Sequence, residues 1–291
     1  MSRAVLGERP AASSLAALGV AMVSVQSGAS IAKGLFPVLG ASGVTGLRLS
    51  LAAAILVAVG RPWRHRLPRA AWLPIMGYGA SLGCMNMCFY LALNRIPLGV
   101  TVALEFAGPL AVALASSKRP LDVLWAAMAA SGILLLMPLH PGATSLDSLG
   151  VAYALAAAAG WACYIIFGQR ASRLAPGGAV TGWGMCTGAA LVAPVGLIAA
   201  GPAWHDASVL PLALAVAVLS SAIPYSLEMV ALKRLPARTF GILMSLEPAV
   251  ATVAGLTFLG ERLSAPQSVA IALVMAASVG SATSARSPQP A

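Results

Sequence analysis

Charge is what this sequence has least of. Asp, Glu, Lys and Arg together make up 9% of its 291 residues, against roughly 25% in an average soluble domain. Such a chain cannot clothe a water-facing surface, and it is too apolar to stay disordered. A soluble enzyme and an unstructured chain are therefore excluded. Histidine is almost as scarce. His65, His140 and His205 fall in separate loops without the Asp, Cys or Glu partners that a polytopic membrane enzyme would gather at one membrane edge. The four cysteines, Cys84, Cys88, Cys163 and Cys186, lie inside apolar runs. Cys84 and Cys88 share a helical face, but no His stands beside them and no second pair has ligand spacing. A disulfide framework is excluded, no metal or cofactor is expected, and the thiols are expected to be buried.

What the sequence does have is apolar length: 59% of it is hydrophobic. A helix crossing a bilayer of about 30 Å needs roughly 20 apolar residues, so ten spans would use about 200. The runs predict helices near 13–33, 41–60, 71–93, 98–116, 121–138, 148–168, 178–200, 209–232, 237–259 and 264–284. The expected fold class is an all-α integral membrane protein. Connectors such as RPWRHRLPR and SSKRPLD are short, so no linker separates soluble domains. Arg3 and Arg9 ahead of the first span could mark a signal peptide, but Gln26 and Lys33 inside it point to a retained helix.

The net charge of +10 reports orientation rather than an anionic partner, and no nucleic acid is expected. With the N-terminus inside, the two tails and the loops after spans two, four, six and eight hold fourteen of the eighteen Lys and Arg. Lys33, Arg95 and Arg262 fall on the outer margin, and Arg48 lies within a span. That bias predicts ten spans with both termini in the cytoplasm.

The two halves repeat. LNRIP at 93–97 matches LKRLP at 232–236, an offset of 139 that also sets Pro109 on Pro248. GVTG at 43–46 matches AVTG at 179–182. Five spans per half place the halves in opposite orientation, the inverted plan of many secondary transporters. The expected division is a tail at 1–12, a first repeat at 13–138, a second at 148–284 and a tail at 285–291. Pro109 cannot bond the carbonyl of Glu105, nor Pro248 that of Met244, so each half frees a carbonyl at the same depth.

The stretches IAKGLFPVLGASGVTGLRLS, YGASLGCMNMCFYLAL, IPLGVTVALEFAGPLAVALASSKRP, SSAIPYSLEMVALKRLPARTFGILMSLEPAVA and FLGERL resemble the bacterial threonine/homoserine exporters. These are a branch of the drug/metabolite transporter superfamily built from two EamA-type repeats. The likeness runs from about residue 22 to 284. It implies an inner-membrane carrier that exports threonine and homoserine, driven by protons. Another small solute, such as an aromatic amino acid or a drug, is the alternative cargo, and a membrane enzyme a distant one.

An ionisable group within the bilayer needs a partner or a task. Lys33, at a span end, is expected to snorkel toward the interface. Arg48 could bind a carboxylate or pair with a glutamate. Glu105 and Glu247 are one turn apart by repeat symmetry and could carry a proton or bind an ammonium. Glu228, nearer a helix end, could gate or contact substrate. Tyr225 corresponds to Asn86 in the first half, with Tyr90 one turn on; these could read a hydroxyl or carboxylate, or bond helix to helix. Trp161 and Trp183 are expected to serve packing or the interface. The candidate constellation is therefore Arg48, Asn86, Tyr90, Glu105, Tyr225, Glu228 and Glu247, with helix breaks at Pro109 and Pro248.

Overall fold

A computed structural model of the chain describes residues 5–115, 120–136, 146–225, 227 and 244–284. Among these no strand occurs. The helices are α1 (Val5–Gly34), α2 (Phe36–Gly60), α3 (Arg69–Leu93), α4 (Leu98–Glu105), α5 (Ala107–Ala115), α6 (Pro120–Leu136), α7 (Ser148–Leu174), α8 (Gly177–Ala200), α9 (Leu210–Ala217), α10 (Glu247–Phe258) and α11 (Ala265–Ser284). A π-helical turn, Val218–Ala222, carries α9 onward to Tyr225. Each expected span has its helical counterpart, with α4 and α5 forming one broken span. The first helix starts at Val5, inside the segment expected as a tail. The second expected span, from 41, follows a kink at Gly40, whose φ of 68° suits glycine.

Phe36–Gly60, Ser148–Leu174 and Gly177–His205 are each apolar and long enough to cross a membrane unaided. Leu98–Val112, Val123–Leu135, Leu210–Tyr225 and Ala265–Ser281 are apolar but shorter. The outer surface is apolar too: Ile198, Val59 and Leu73 are 78–82% exposed, as lipid-facing side chains are in a membrane protein. The cysteines correct the expectation of burial. Cys84 and Cys163 are exposed, and Cys88 and Cys186 are half-buried. In a lipid surround an apolar thiol gains nothing by turning inward.

The inversion is visible in the packing. Helix α2 lies on α8 with Gly43 against Ala200, Gly46 against Gly196 and Gly60 against Gly178, so the two run antiparallel. Helix α6 meets α11 likewise, Trp125 at Gly280 and Gly132 at Ala270. Helix α4 lies on α10, with Gly99 against Thr252. These are the second, fifth and fourth spans of each half, paired with their own counterparts. The remaining contacts exchange in the same way: α3 packs on α7, as α9 and its π-turn pack on α1.

The helix breaks also coincide. Helix α4 ends at Glu105, and Phe106 separates it from α5. At offset 139, Ser245 and Leu246 form a turn between Met244 and α10. Both breaks fall just before the prolines that withhold a backbone donor. At the end of the molecule where α1 finishes, Lys33 pairs with Glu261 at 2.7 Å rather than reaching out alone. At that same end, Asp147 caps α7 by accepting from the N–H groups of Leu149 and Gly150, and it also takes Arg95 at 2.9 Å. The Gly150 N–H foremost, aided by Arg95, holds its carboxyl below the usual carboxylate range.

Helices without a hydrophobic drive between them associate through close backbone approach. Gly79 and Gly83 on α3 face Gly184 and Gly188 on α8. A Cβ on Gly79 would stand 2.2 Å from the Gly184 carbonyl oxygen, whereas one on Gly19 meets nothing within 4 Å. Gly79→Val should therefore lower the thermal midpoint in detergent by the equivalent of about 1–3 kcal/mol of overpacking, and Gly19→Ala should leave it unchanged. Equal midpoints would rule out the α3–α8 glycine contact as a structural determinant.

Candidate functional site

Between the halves lies a cavity of about 90 Å³. Arg48, Asn86, Tyr90, Glu105, Tyr225 and Glu247 all line it. The structure thus brings together six of the seven residues that the sequence singles out. Glu228 lies outside the described residues, as does the LKRLP segment. The cavity also takes Gln26, Met85, Phe89, Trp161, Tyr164, Ser220 and Pro224, among others. Trp161, expected to serve packing or the interface, reaches the cavity and meets Phe106 edge-on. Trp183 packs at a tilt against Trp72, away from the cavity lining.

Arg48 is 3% exposed in the middle of α2. Its Nη1 donates to the Ser220 carbonyl at 3.2 Å and to Ser221 Oγ at 3.1 Å, and its Nη2 donates to Asn86 Oδ1. The π-turn explains the first of these contacts. Pro224 has no N–H to offer the carbonyl four residues back, so the Ser220 oxygen is left for the guanidinium. Asn86 is aimed by its own amide, which donates to the Leu82 carbonyl at 2.8 Å. The Tyr90 ring lies beneath the guanidinium, 4.7 Å from Arg48 Cζ to the ring centroid. Among the described residues Arg48 pairs with no carboxylate. Neither Glu105 nor Glu247 comes within ion-pair distance of it, and Nε remains buried without a partner among the described residues.

The two acids come from the two helix breaks. Glu105 is the last residue of α4 and Glu247 the first of α10. They are 7% and 8% exposed. Glu247 Oε1 accepts from Gln26 Nε2 at 3.2 Å, leaving Oε2 without a partner. No described residue donates a hydrogen bond to Glu105. Tyr90 Oη and Ser220 Oγ are buried and unpartnered as well. The cavity therefore presents one cation, two acids and several free hydrogen-bonding groups among aromatic walls. Such a set complements a small molecule bearing both charges. Among the described residues no cluster of His, Cys, Asp and Glu could hold a metal.

Gln26 is the lining residue that charge-based reading passes over. An amide in an apolar helix is read as helix-to-helix glue, and only its length of reach toward α10 distinguishes it here. Pro224 is the other, since its effect is on a carbonyl it does not itself carry.

Residues 148–283 match the EamA-like transporter family. The chain is 53% identical over 272 residues to the threonine/homoserine exporter RhtA of Salmonella typhimurium strain LT2, an alignment covering 93% of this chain and 92% of that one. It is likewise 53% identical over 268 residues to the threonine/homoserine exporter RhtA of Escherichia coli strain K12, covering 92% and 90%. One solved crystal structure, 21% identical, superposes with a TM-score of 0.62 over 94% of this chain and 97% of its own, which shows a shared fold.

The Arg48 network carries its own prediction. Arg48→Leu would leave the Ser220 carbonyl, Ser221 and Asn86 without their donor, at roughly 1–3 kcal/mol for a buried group so orphaned. Its melting midpoint in detergent should fall clearly. Arg48→Lys, one ammonium in place of a fork, should recover only part of the loss. Midpoints at the wild-type value in both would mean that the guanidinium holds nothing together.

Proposed function

The chain belongs to the EamA-like transporter family, and we propose that it exports threonine and homoserine through the central cavity in exchange for protons. The observation that carries this reading is the cavity's charge set. Arg48, unpaired by any described carboxylate, suits a substrate carboxylate; Glu105 and Glu247 suit an ammonium or a proton; Asn86, Tyr90 and Tyr225 suit a hydroxyl. A carboxyl group can take up and release a proton, whereas a guanidinium in a protein keeps its own. The repeats at 13–138 and 148–284 would rock about the cavity, and the tails at 1–12 and 285–291 would both face the cytoplasm of a bacterial inner membrane.

A second cargo is favoured by one observation. Phe89, Tyr90, Trp161, Tyr164 and Tyr225 bring five rings to the cavity wall, which would suit an aromatic amino acid.

Cells overproducing the protein should tolerate toxic threonine or homoserine and release more of both. Unchanged tolerance with the protein present in the membrane, together with new tolerance to aromatic analogues, would transfer the reading to the second cargo. In proteoliposomes, Glu105→Gln and Glu247→Gln should keep wild-type protein levels yet lose the response of transport to an imposed pH gradient. Both variants keeping that response would remove these acids from coupling. A reporter active only outside the cytoplasm, fused after Ala291, should stay silent, and a strong signal would reverse the orientation.

A further inference from the structure

Gln26 carries no charge, yet it is 3% exposed in the middle of α1 and faces the cavity. Its amide nitrogen is committed to Glu247 Oε1. Turning the amide over would set Gln26 Oε1 against that carboxylate, acceptor against acceptor. The carbonyl end is therefore held away from Glu247, and it has no partner among the described residues. Glu247 Oε2 is unpartnered beside it. Gln26 Oε1 on α1 of the first half and Glu247 Oε2 on α10 of the second are thus two buried acceptors without a donor among the described residues. On α2, Arg48 Nε is a buried donor without an acceptor. Tyr90 Oη and Ser220 Oγ, also unpartnered, can act either way.

We infer that Gln26 is a substrate ligand: its carbonyl oxygen and the free oxygen of Glu247 together receive the α-ammonium of the transported amino acid. This rests on the reading of the cavity as an amino-acid site and goes beyond it in naming the residue and the group it recognises. An ammonium has three N–H donors and no acceptor. Two of them fit Gln26 and Glu247, and the carboxylate of Glu105, to which no described residue donates, is open to the third. The substrate carboxylate then lies toward Arg48. A neutral carbonyl paired with a carboxylate favours a donor-only group over a hydroxyl, and it adds no second charge that an empty cavity would have to keep apart from Glu247. Because the Gln26 amide also fixes one oxygen of Glu247, the residue both binds and positions.

The test compares ligands that differ in one group, using the purified full-length protein in lipid nanodiscs. The probes are threonine, threoninamide (ammonium kept, carboxylate lost) and 3-hydroxybutanoate (carboxylate and hydroxyl kept, ammonium lost). In Gln26→Leu the dissociation constants of threonine and threoninamide should rise about tenfold or more, the scale of a hydrogen bond to a charged group. That of 3-hydroxybutanoate should not change. Gln26→Met, equally long and without an acceptor of comparable strength, carries the same comparison if the leucine variant fails to reach the membrane. An equal rise for all three ligands, or no rise for any, overturns the inference. Failure of the wild-type protein to bind threonine or homoserine overturns the amino-acid reading instead, so the two failures are distinct.

Discussion

A buried guanidinium that no described carboxylate pairs with is the constraint on which this architecture turns. Taking such a charge out of water costs several kcal/mol even after relaxation. A carboxylate partner would have met that cost and cancelled the charge at once. Here the charge is held by dipoles instead: the Ser220 carbonyl, Ser221 Oγ, Asn86 Oδ1 and the face of Tyr90. Neutral acceptors stabilise a cation without neutralising it, so Arg48 keeps an electrostatic demand that an incoming anion can meet. Pro224, one turn on, has no N–H to offer the Ser220 carbonyl. A proline on the ninth helical segment thus decides what a charge on the second can do.

The same device recurs at the acids. Each half breaks its fourth span just ahead of a proline, and each break presents a glutamate: Glu105 ending α4, Glu247 opening α10. Inversion brings these two ends together, because α4 and α10 pack against each other antiparallel. Neither half alone supplies both acids. The cavity is a property of the pairing, made from α1, α2, α3 and α4 on one side and α7, the π-turn with the residues that follow it, and α10 on the other.

Much of this could be read from the residues in order. The apolar runs located the helices, and the shared offset of the two prolines anticipated the matched breaks. Charge inside apolar runs singled out Arg48, Glu105 and Glu247, which the structure gathers with Asn86, Tyr90 and Tyr225 around one space. Other features were not legible. Gln26 is uncharged, and its importance depends on which helix faces α1. The π-turn leaves no mark in composition, and no local pattern announces that Pro224 would release a carbonyl toward α2. The cysteines misled because burial in a membrane protein is not the same as lying in an apolar run. Lys33 misled because its partner, Glu261, is 228 residues away.

The contrast between the centre and one end of the bundle bears on how such a carrier moves. Lys33 with Glu261 and Arg95 with Asp147 both join the first half to the second at the end where α1 finishes and α4 begins. Glu261 also accepts the Leu98 N–H at 2.8 Å, tying the start of α4 into the same knot. Leu35, Leu39 and Leu98 are buried in one apolar cluster near it. The side chains of Arg95 and Asp147 are 39% and 40% exposed, and ion pairs so open to solvent contribute little, typically 0–1 kcal/mol. The Arg48 network, by contrast, is sealed and expensive to disturb. A transporter must open one end while keeping its centre intact, and that requires weak contacts where the halves part and strong ones where the substrate is held. The distribution of polar groups here follows that requirement: at the rim an Arg95–Asp147 pair that water can replace, and at the core a charge whose acceptors are fixed by the fold.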